Sequence, residues 1–245
     1  MKLISKPQIH YPDCDGKPMA DNTKQFGLIV MIKENLEIFY AAFMNIFVAG
    51  DLLWYPIEGD NKTCLAPDVM VAFGRPKGDR GSYQQWNEDN IAPQVAFEIL
   101  SPSNYSPEME AKRIFYETHG VEEYYSYDPD RLRLKGWMRQ GNQLLPIPEM
   151  NGWVSPRMKI RFMNTQDSLD LYRPDGRKFL TSVELDDRAT QAIVQADQAI
   201  VRANQAELQV RSMIVNLLRS GMAIDQVAAI TGMNSEQIQD IQTTL

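Results

Sequence analysis

Three residues stand in an order that suits phosphoryl chemistry. Pro67-Asp68 opens one predicted strand, Glu98 lies near the end of the next in VAFEIL, and Lys112 follows on a predicted helix with Tyr116 one turn on. Two carboxylates on adjacent strands can share one divalent cation, because Mg²⁺ takes hard oxygen ligands and needs only one or two carboxylates beside water and phosphate. Such an ion activates water and offsets charge on a phosphoryl transition state. A neighbouring ammonium stabilises the same charge. Residues i and i+2 of a strand share a face, so a lysine at 100 would complete an E-x-K set. Position 100 is leucine, and Lys112 is the nearest replacement downstream. Singly these signals are weak: Pro-Asp is usually a turn and a helical lysine is usually solvated. A glutamate inside an apolar strand is rarer, since a buried charge needs compensation.

The elements that must position these residues follow from periodicity. Leu28, Ile29, Ile32, Leu36, Phe39, Tyr40 and Phe43 recur at helical spacing and predict a helix over 24–45, capped near Asp21–Thr23. Strands are predicted at Phe47–Pro56, Asp68–Phe73 and Gln94–Leu100, with 76–93 as a polar loop. A helix fits Pro107–His119: Pro107 suits its first turn, Glu108 and Glu110 its N-terminal end, and Gly120 its stop. A strand follows at Glu123–Tyr127. Over 131–138, alternation places Arg131, Arg133 and Lys135 on one face, either a solvated edge or a stripe that tracks phosphates. Short strands are expected at 143–147 and 157–163. His119, at a helix C-terminus, is a favoured place for a cation and reads as structural.

The chain has 245 residues, 44% hydrophobic and 23% charged, which excludes disorder, collagen and a disulfide scaffold. Cys14 and Cys64 form no CxxC and point to reduced thiols in a cytoplasmic protein. The apolar run Phe26–Ile32 falls far short of a membrane span, and no signal peptide is visible. The net charge of −7 is unusual for a nucleic-acid binder. Its excess lies in residues 1–104 and 181–245, while 105–180 carry 12 basic and 11 acidic groups.

The tail differs. Leu185, Ala189, Ala192, Ala196, Ala199, Ala203, Ala206, Val210, Met213 and Leu217 alternate steps of four and three, a heptad seam that predicts pairing with another helix, in cis or from a second subunit. Residues 221–245 read as two short helices around Gly232, with Asn234 as an N-cap and Gln237 three residues on. They resemble a helix-turn-helix, but Ser235–Leu245 carries no Lys or Arg to meet phosphates.

The segments VAFEILSPSN and AKRIFYETHGVEEYYSYDP, with the Pro67-Asp68 pair upstream, resemble the Uma-two family of restriction-endonuclease-like proteins, in the PD-(D/E)XK nuclease superfamily. The resemblance spans roughly residues 20–175; the family commonly shows Trp where Tyr125 stands. It implies an α/β restriction-endonuclease-like core, a mixed sheet flanked by helices, over 20–178. The long Ala-seam helix (179–220) and the helical tail (221–245) lie outside it. It implies a Mg²⁺- or Mn²⁺-dependent endonuclease acting on DNA. Asp68, Glu98 and Lys112 would be catalytic. Asp68, Glu98, the Ile99 carbonyl and a first-helix glutamate, Glu37 in preference to Glu34, would hold the metal. The catalytic lysine would have moved from the strand to the helix, matching Leu100 and Lys112. The alternative is a catalytically silent nuclease fold acting in assembly or regulation through its C-terminal helices. A homo-oligomer joined through 185–217 is expected, with no membrane partner.

Overall fold

The computed structural model describes residues 9–16, 20–103 and 106–243, so Asn104 of the SPSN motif and the last two residues of the expected tail helix lie outside it. The elements run α1 (Thr23–Phe39), β1 (Ile46–Gly50), β2 (Trp54–Tyr55), β3 (Val69–Phe73), β4 (Tyr83–Gln84), β5 (Val95–Ile99), α2 (Ser106–His119), β6 (Glu123–Asp128), β7 (Arg133–Gln140), β8 (Gln143–Pro146), β9 (Arg161–Asn164), β10 (Leu169–Tyr172), α3 (Ser182–Arg219), α4 (Ile224–Thr231) and α5 (Ser235–Thr243). They form two compact units that divide after Ser182. Among the described residues, no helix is long and apolar enough to cross a membrane.

The first unit is a mixed sheet of six strands in the order β1-β3-β5-β6-β7-β8, the α/β class expected. Only β5 and β6 are parallel among its neighbours, and α2 makes the crossover between them. The pleat sorts the strands' side chains. Val95, Phe97 and Ile99 of β5 join the core that holds Ile29, Ile32 and Leu36 of α1. Ala96 joins the opposite core, with Tyr116 of α2 and Tyr124 of β6. Even positions of β5 therefore face α2, and so does Glu98.

The helix of 24–45 is shorter than its apolar spacing suggested. Asn22 caps it, accepting from the Gln25 N–H at 2.9 Å, and it ends at Phe39. The Tyr40 carbonyl, instead of continuing the helix, accepts from the Phe43 N–H at 2.9 Å and from Lys77 Nζ at 2.7 Å. Phe43 is left exposed. The strand expected at 47–56 is broken at Asp51, which takes a φ of +48° and donates its N–H to the Pro67 and Asp68 carbonyls. The loop at 76–93 includes β4 and is pinned by Glu88, which pairs with Arg75 at 3.0 Å and Arg80 at 2.6 Å. β10, beyond the predicted strands, pairs antiparallel with β9.

Glu123, buried in the GVEEYY segment, receives hydrogen bonds from Tyr125 at 2.8 Å, Ser155 at 2.5 Å and the Arg157 N–H at 2.7 Å. Three donors satisfy this carboxylate and tie β6 to the segment before β9, so its work is structural.

The second unit has its own small core. Ile214 near the end of α3, Val227 of α4 and Ile238 of α5 are buried together. Gly232 stops α4 in the left-handed region, at a φ of +71°. Asn234 and Gln237 then exchange hydrogen bonds at 2.8 and 3.2 Å as a capping box.

Candidate active site

Each site residue is set by the pleat or by helical spacing. Val69 pairs with Phe97, and one step further along both strands sets Asp68 opposite Glu98. Lys112 and Tyr116 are four apart, hence on one face of α2. Both reach down to Glu98: Lys112 Nζ donates to Oε2 at 2.6 Å, and the Tyr116 hydroxyl donates to Oε1. Asp68 Oδ2 accepts the Ile99 N–H at 2.5 Å. The structure thus gathers Asp68, Glu98 and Lys112. Asp68 and Lys112 line a cavity of about 360 Å³, and Glu98 lies beneath Lys112, only 2% exposed.

The Ile99 carbonyl accepts from Gln25 Nε2 at 2.7 Å, and Gln25 itself lines the cavity. The residue that α1 sends to this corner is therefore Gln25, and Glu37 is not brought to it. Glu37 stands 12 residues along, about 18 Å of helix, and pairs with Lys33 at 2.8 Å. Glu34 shares that lysine at 3.0 Å. The loop between β5 and α2 is fastened to the foot of α1: Ser101 donates to Asp21 at 2.5 Å, and Ser103 bonds the same oxygen. These hydroxyls hold the Asp21 carboxyl below its usual range. That gives Ser101 and Ser103 of the SPSN motif a positional role.

Charge in this corner is unbalanced. Burial pushes the Asp68 carboxyl well up, and the Glu98 charge pushes it further. Burial also raises Glu98, against the pull of Lys112. Burial would lower the Lys112 ammonium, but Glu98 and Asp68 outweigh it and hold it above the ordinary lysine value. Lys112 therefore stays protonated. Asp51 lines the same cavity, and its carboxyl is raised by burial and by Asp15.

A divalent cation fits this donor set. The two buried carboxyls offer hard oxygens around a single ammonium, so a cation would relieve the excess of negative charge. Among the described residues, no three His, Cys, Asp or Glu side chains gather to hold a metal alone. Two carboxylates with water and phosphate completing the shell are what Mg²⁺ accepts.

Two contributors escaped the sequence. Gln25 carries no charge to mark it, and its value lies in its reach to the Ile99 carbonyl. Asp51 sits in no motif and enters only because the chain turns at its positive φ. Tyr116, one turn on from Lys112, also touches Glu98 through its hydroxyl. His119 packs against Phe115 and Trp54 at ring distances of 4.6 and 6.1 Å, and burial lowers its pKa.

No curated protein matches. A crystal structure of a putative nuclease belonging to DUF820 from Anabaena variabilis is similar, with a TM-score of 0.42 at 18% identity, covering 58% of this chain and 78% of that one. The family model described as "Uma2: Putative restriction endonuclease" matches residues 28–159, more than half of the chain and all of β1 through β8. The chain belongs to the Uma2 family.

Proposed function

We propose that the protein is a divalent-metal-dependent endonuclease that hydrolyses DNA phosphodiester bonds. The observation that carries this reading is the meeting of Asp68 and Glu98, at one end of β3 and β5, with Lys112 of α2. Asp68, Glu98 and the Ile99 carbonyl would hold Mg²⁺ or Mn²⁺. The ion supplies Lewis acidity, which acidifies water and offsets phosphoryl charge. Lys112, as an ammonium, stabilises charge building on the phosphoryl oxygens and orients the attacking water. Tyr116 steadies Glu98, and Gln25 steadies the strand end that carries Ile99. Plasmid cleavage in Mg²⁺ or Mn²⁺ tests the assignment. Glu98→Ala should lose on the order of 10²-fold or more in rate, the scale on which a transition-state contact is lost. Undiminished cleavage in that variant sinks it.

A second reading, assembly through α3, is favoured by the apolar side chains that helix leaves exposed, among them Ile193, Ile200 and Leu208. We assign the seam to a second copy of this chain. Ile193 and Ile200 flank the Ala189, Ala196 and Ala203 line, which widens the apolar stripe. In a parallel pair, Arg202 and Glu207, five apart on either side of the seam, face each other with opposite charge. Light scattering should give a multiple of the 28.0 kDa chain mass, and Ala196→Glu/Ala203→Glu should return it to the monomer value. A monomeric wild-type protein removes this reading.

A further inference from the structure

Beside the acidic corner lies a second cavity of about 360 Å³, lined by Leu100, Tyr124, Ser126, Arg133, Lys135 and Trp137 among others. The sheet register fixes its place. Glu98 of β5 pairs with Ser126 of β6, which pairs with Lys135 of β7, so the three lie in one row. The row continues from Asp68 and Glu98, and two strand spacings separate Glu98 from Lys135 by roughly 10 Å. One row further back, Tyr124 pairs with Trp137, and their rings stack 4.8 Å apart at 15°.

Two features show that this groove is unfinished. Arg133 and Lys135 are exposed cations of β7 whose side chains make no ion pair or hydrogen bond among the described residues. Their neighbours are committed: Arg113 pairs with Glu110 and Glu117, and Arg131 pairs with Asp128 at 2.9 Å. The Tyr124 hydroxyl, on a residue 1% exposed, makes no hydrogen bond of full geometry among the described residues, and the Ser126 side chain is the polar group that interacts with it. A buried hydroxyl left unmatched costs about 1–3 kcal/mol. An oxygen-rich ligand in the groove would accept from it. Positive charge, a stacked aromatic floor and an unspent donor suit a phosphodiester backbone better than an apolar or cationic ligand.

We infer that this groove is a strand-binding subsite: it holds the phosphates of one DNA strand next to the one being cut, with Arg133 and Lys135 as the phosphate contacts and Tyr124 as a hydrogen-bond donor. The inference rests on the nuclease reading for the place of the scissile phosphate. It also reconciles an acidic protein with a polyanionic substrate, because the strand would enter along β7, where the two carboxylates lining the groove, Glu110 and Asp128, are each paired with an arginine.

The test is binding of a fluorescein-labelled single-stranded oligodeoxynucleotide to the full chain in Ca²⁺, across 50–200 mM NaCl. Arg133→Ala/Lys135→Ala should weaken binding by roughly tenfold per cation, and the slope of log K against log salt should fall by about 1.4 on a single strand. Both positions are exposed, so melting should be unchanged. Tyr124→Phe removes one unmatched hydroxyl; its melting temperature should hold or rise while affinity falls several-fold. Unchanged affinity and slope in the double variant, with wild-type cleavage intact, overturns the subsite and leaves the nuclease reading standing. Salt-dependent binding that needs Arg133 and Lys135, without cleavage in Mg²⁺ or Mn²⁺, supports the groove and removes the nuclease. Wild-type protein that binds no oligonucleotide at low salt overturns both.

Discussion

Asp68→Asn should make the metal-free protein more stable while abolishing cleavage. Asp68 is 8% exposed and faces Glu98, and both burial and that neighbouring charge favour its protonated form. Asn removes the charge and keeps an oxygen that can accept the Ile99 N–H. The gain should be about 2 kcal/mol, on the scale of an imperfectly compensated buried polar group. For a chain of this size that is roughly 4–8 °C in melting temperature. The pH dependence carries the sign. A carboxyl raised in the folded state costs stability once it ionises, so the advantage of Asn appears as pH rises through the folded pKa. It disappears below the unfolded value of about 3.9. Mg²⁺ should stabilise the wild type by about 2.7 kcal/mol at a hundred times its dissociation constant, and should leave Asp68→Asn nearly unmoved. Differential scanning fluorimetry at several pH values, with and without Mg²⁺, reads all of this. A destabilised Asp68→Asn that still responds to Mg²⁺ would contradict the role given to Asp68. The expected pattern is that of a site kept electrostatically tense for function.

The same tension explains what the sequence made legible. A charged residue within VAFEI can persist only with partners, so Glu98 announced itself, and the period of two set it opposite Phe97 and Ile99, on the face that the structure covers with α2. Lys112 and Tyr116 followed from the helical period. The sheet was readable because Val69–Phe73 is a continuous apolar run and Val95–Ile99 is interrupted only by Glu98, as expected of strands covered on both faces. What escaped depended on distant contacts. The end of α1 is set partly by Lys77, 37 residues from Tyr40. The break at Asp51 is set by hydrogen bonds to Pro67 and Asp68. The resemblance implied a first-helix glutamate, Glu37 in preference to Glu34, whereas the geometry brings Gln25, near the N-terminus of that helix. Arg133 and Lys135 stood out in the alternation of β7, but their meaning rests on register: only the pairing through Ser126 puts Lys135 in line with Glu98.

Lys112→Met should produce the opposite stability change from Asp68→Asn with the same loss of activity. Lys112 is the cation on Glu98, whose side chain is 3% exposed. Removing one partner of a buried pair leaves an uncompensated charge and costs about 3–5 kcal/mol. The remaining Tyr116 hydroxyl can hydrogen-bond the carboxylate but cannot neutralise it. Glu98 should therefore titrate still higher in the variant. A folded-state carboxyl raised above its unfolded value gives stability that is whole below the unfolded pKa and is lost as pH rises through the folded one. The deficit of Lys112→Met should thus be small near pH 4 and grow towards pH 8. Adding Glu98→Gln removes the stranded charge, so the double variant should recover most of the lost stability at pH 8, a coupling of at least 2 kcal/mol in the cycle. Cleavage should not return, because neither the metal-binding carboxylate nor the ammonium is restored. Denaturant melts of the four proteins at pH 4, 6 and 8 provide the measurement. A double variant no more stable than Lys112→Met would show that Lys112 supports the fold through its packing and not through the charge on Glu98.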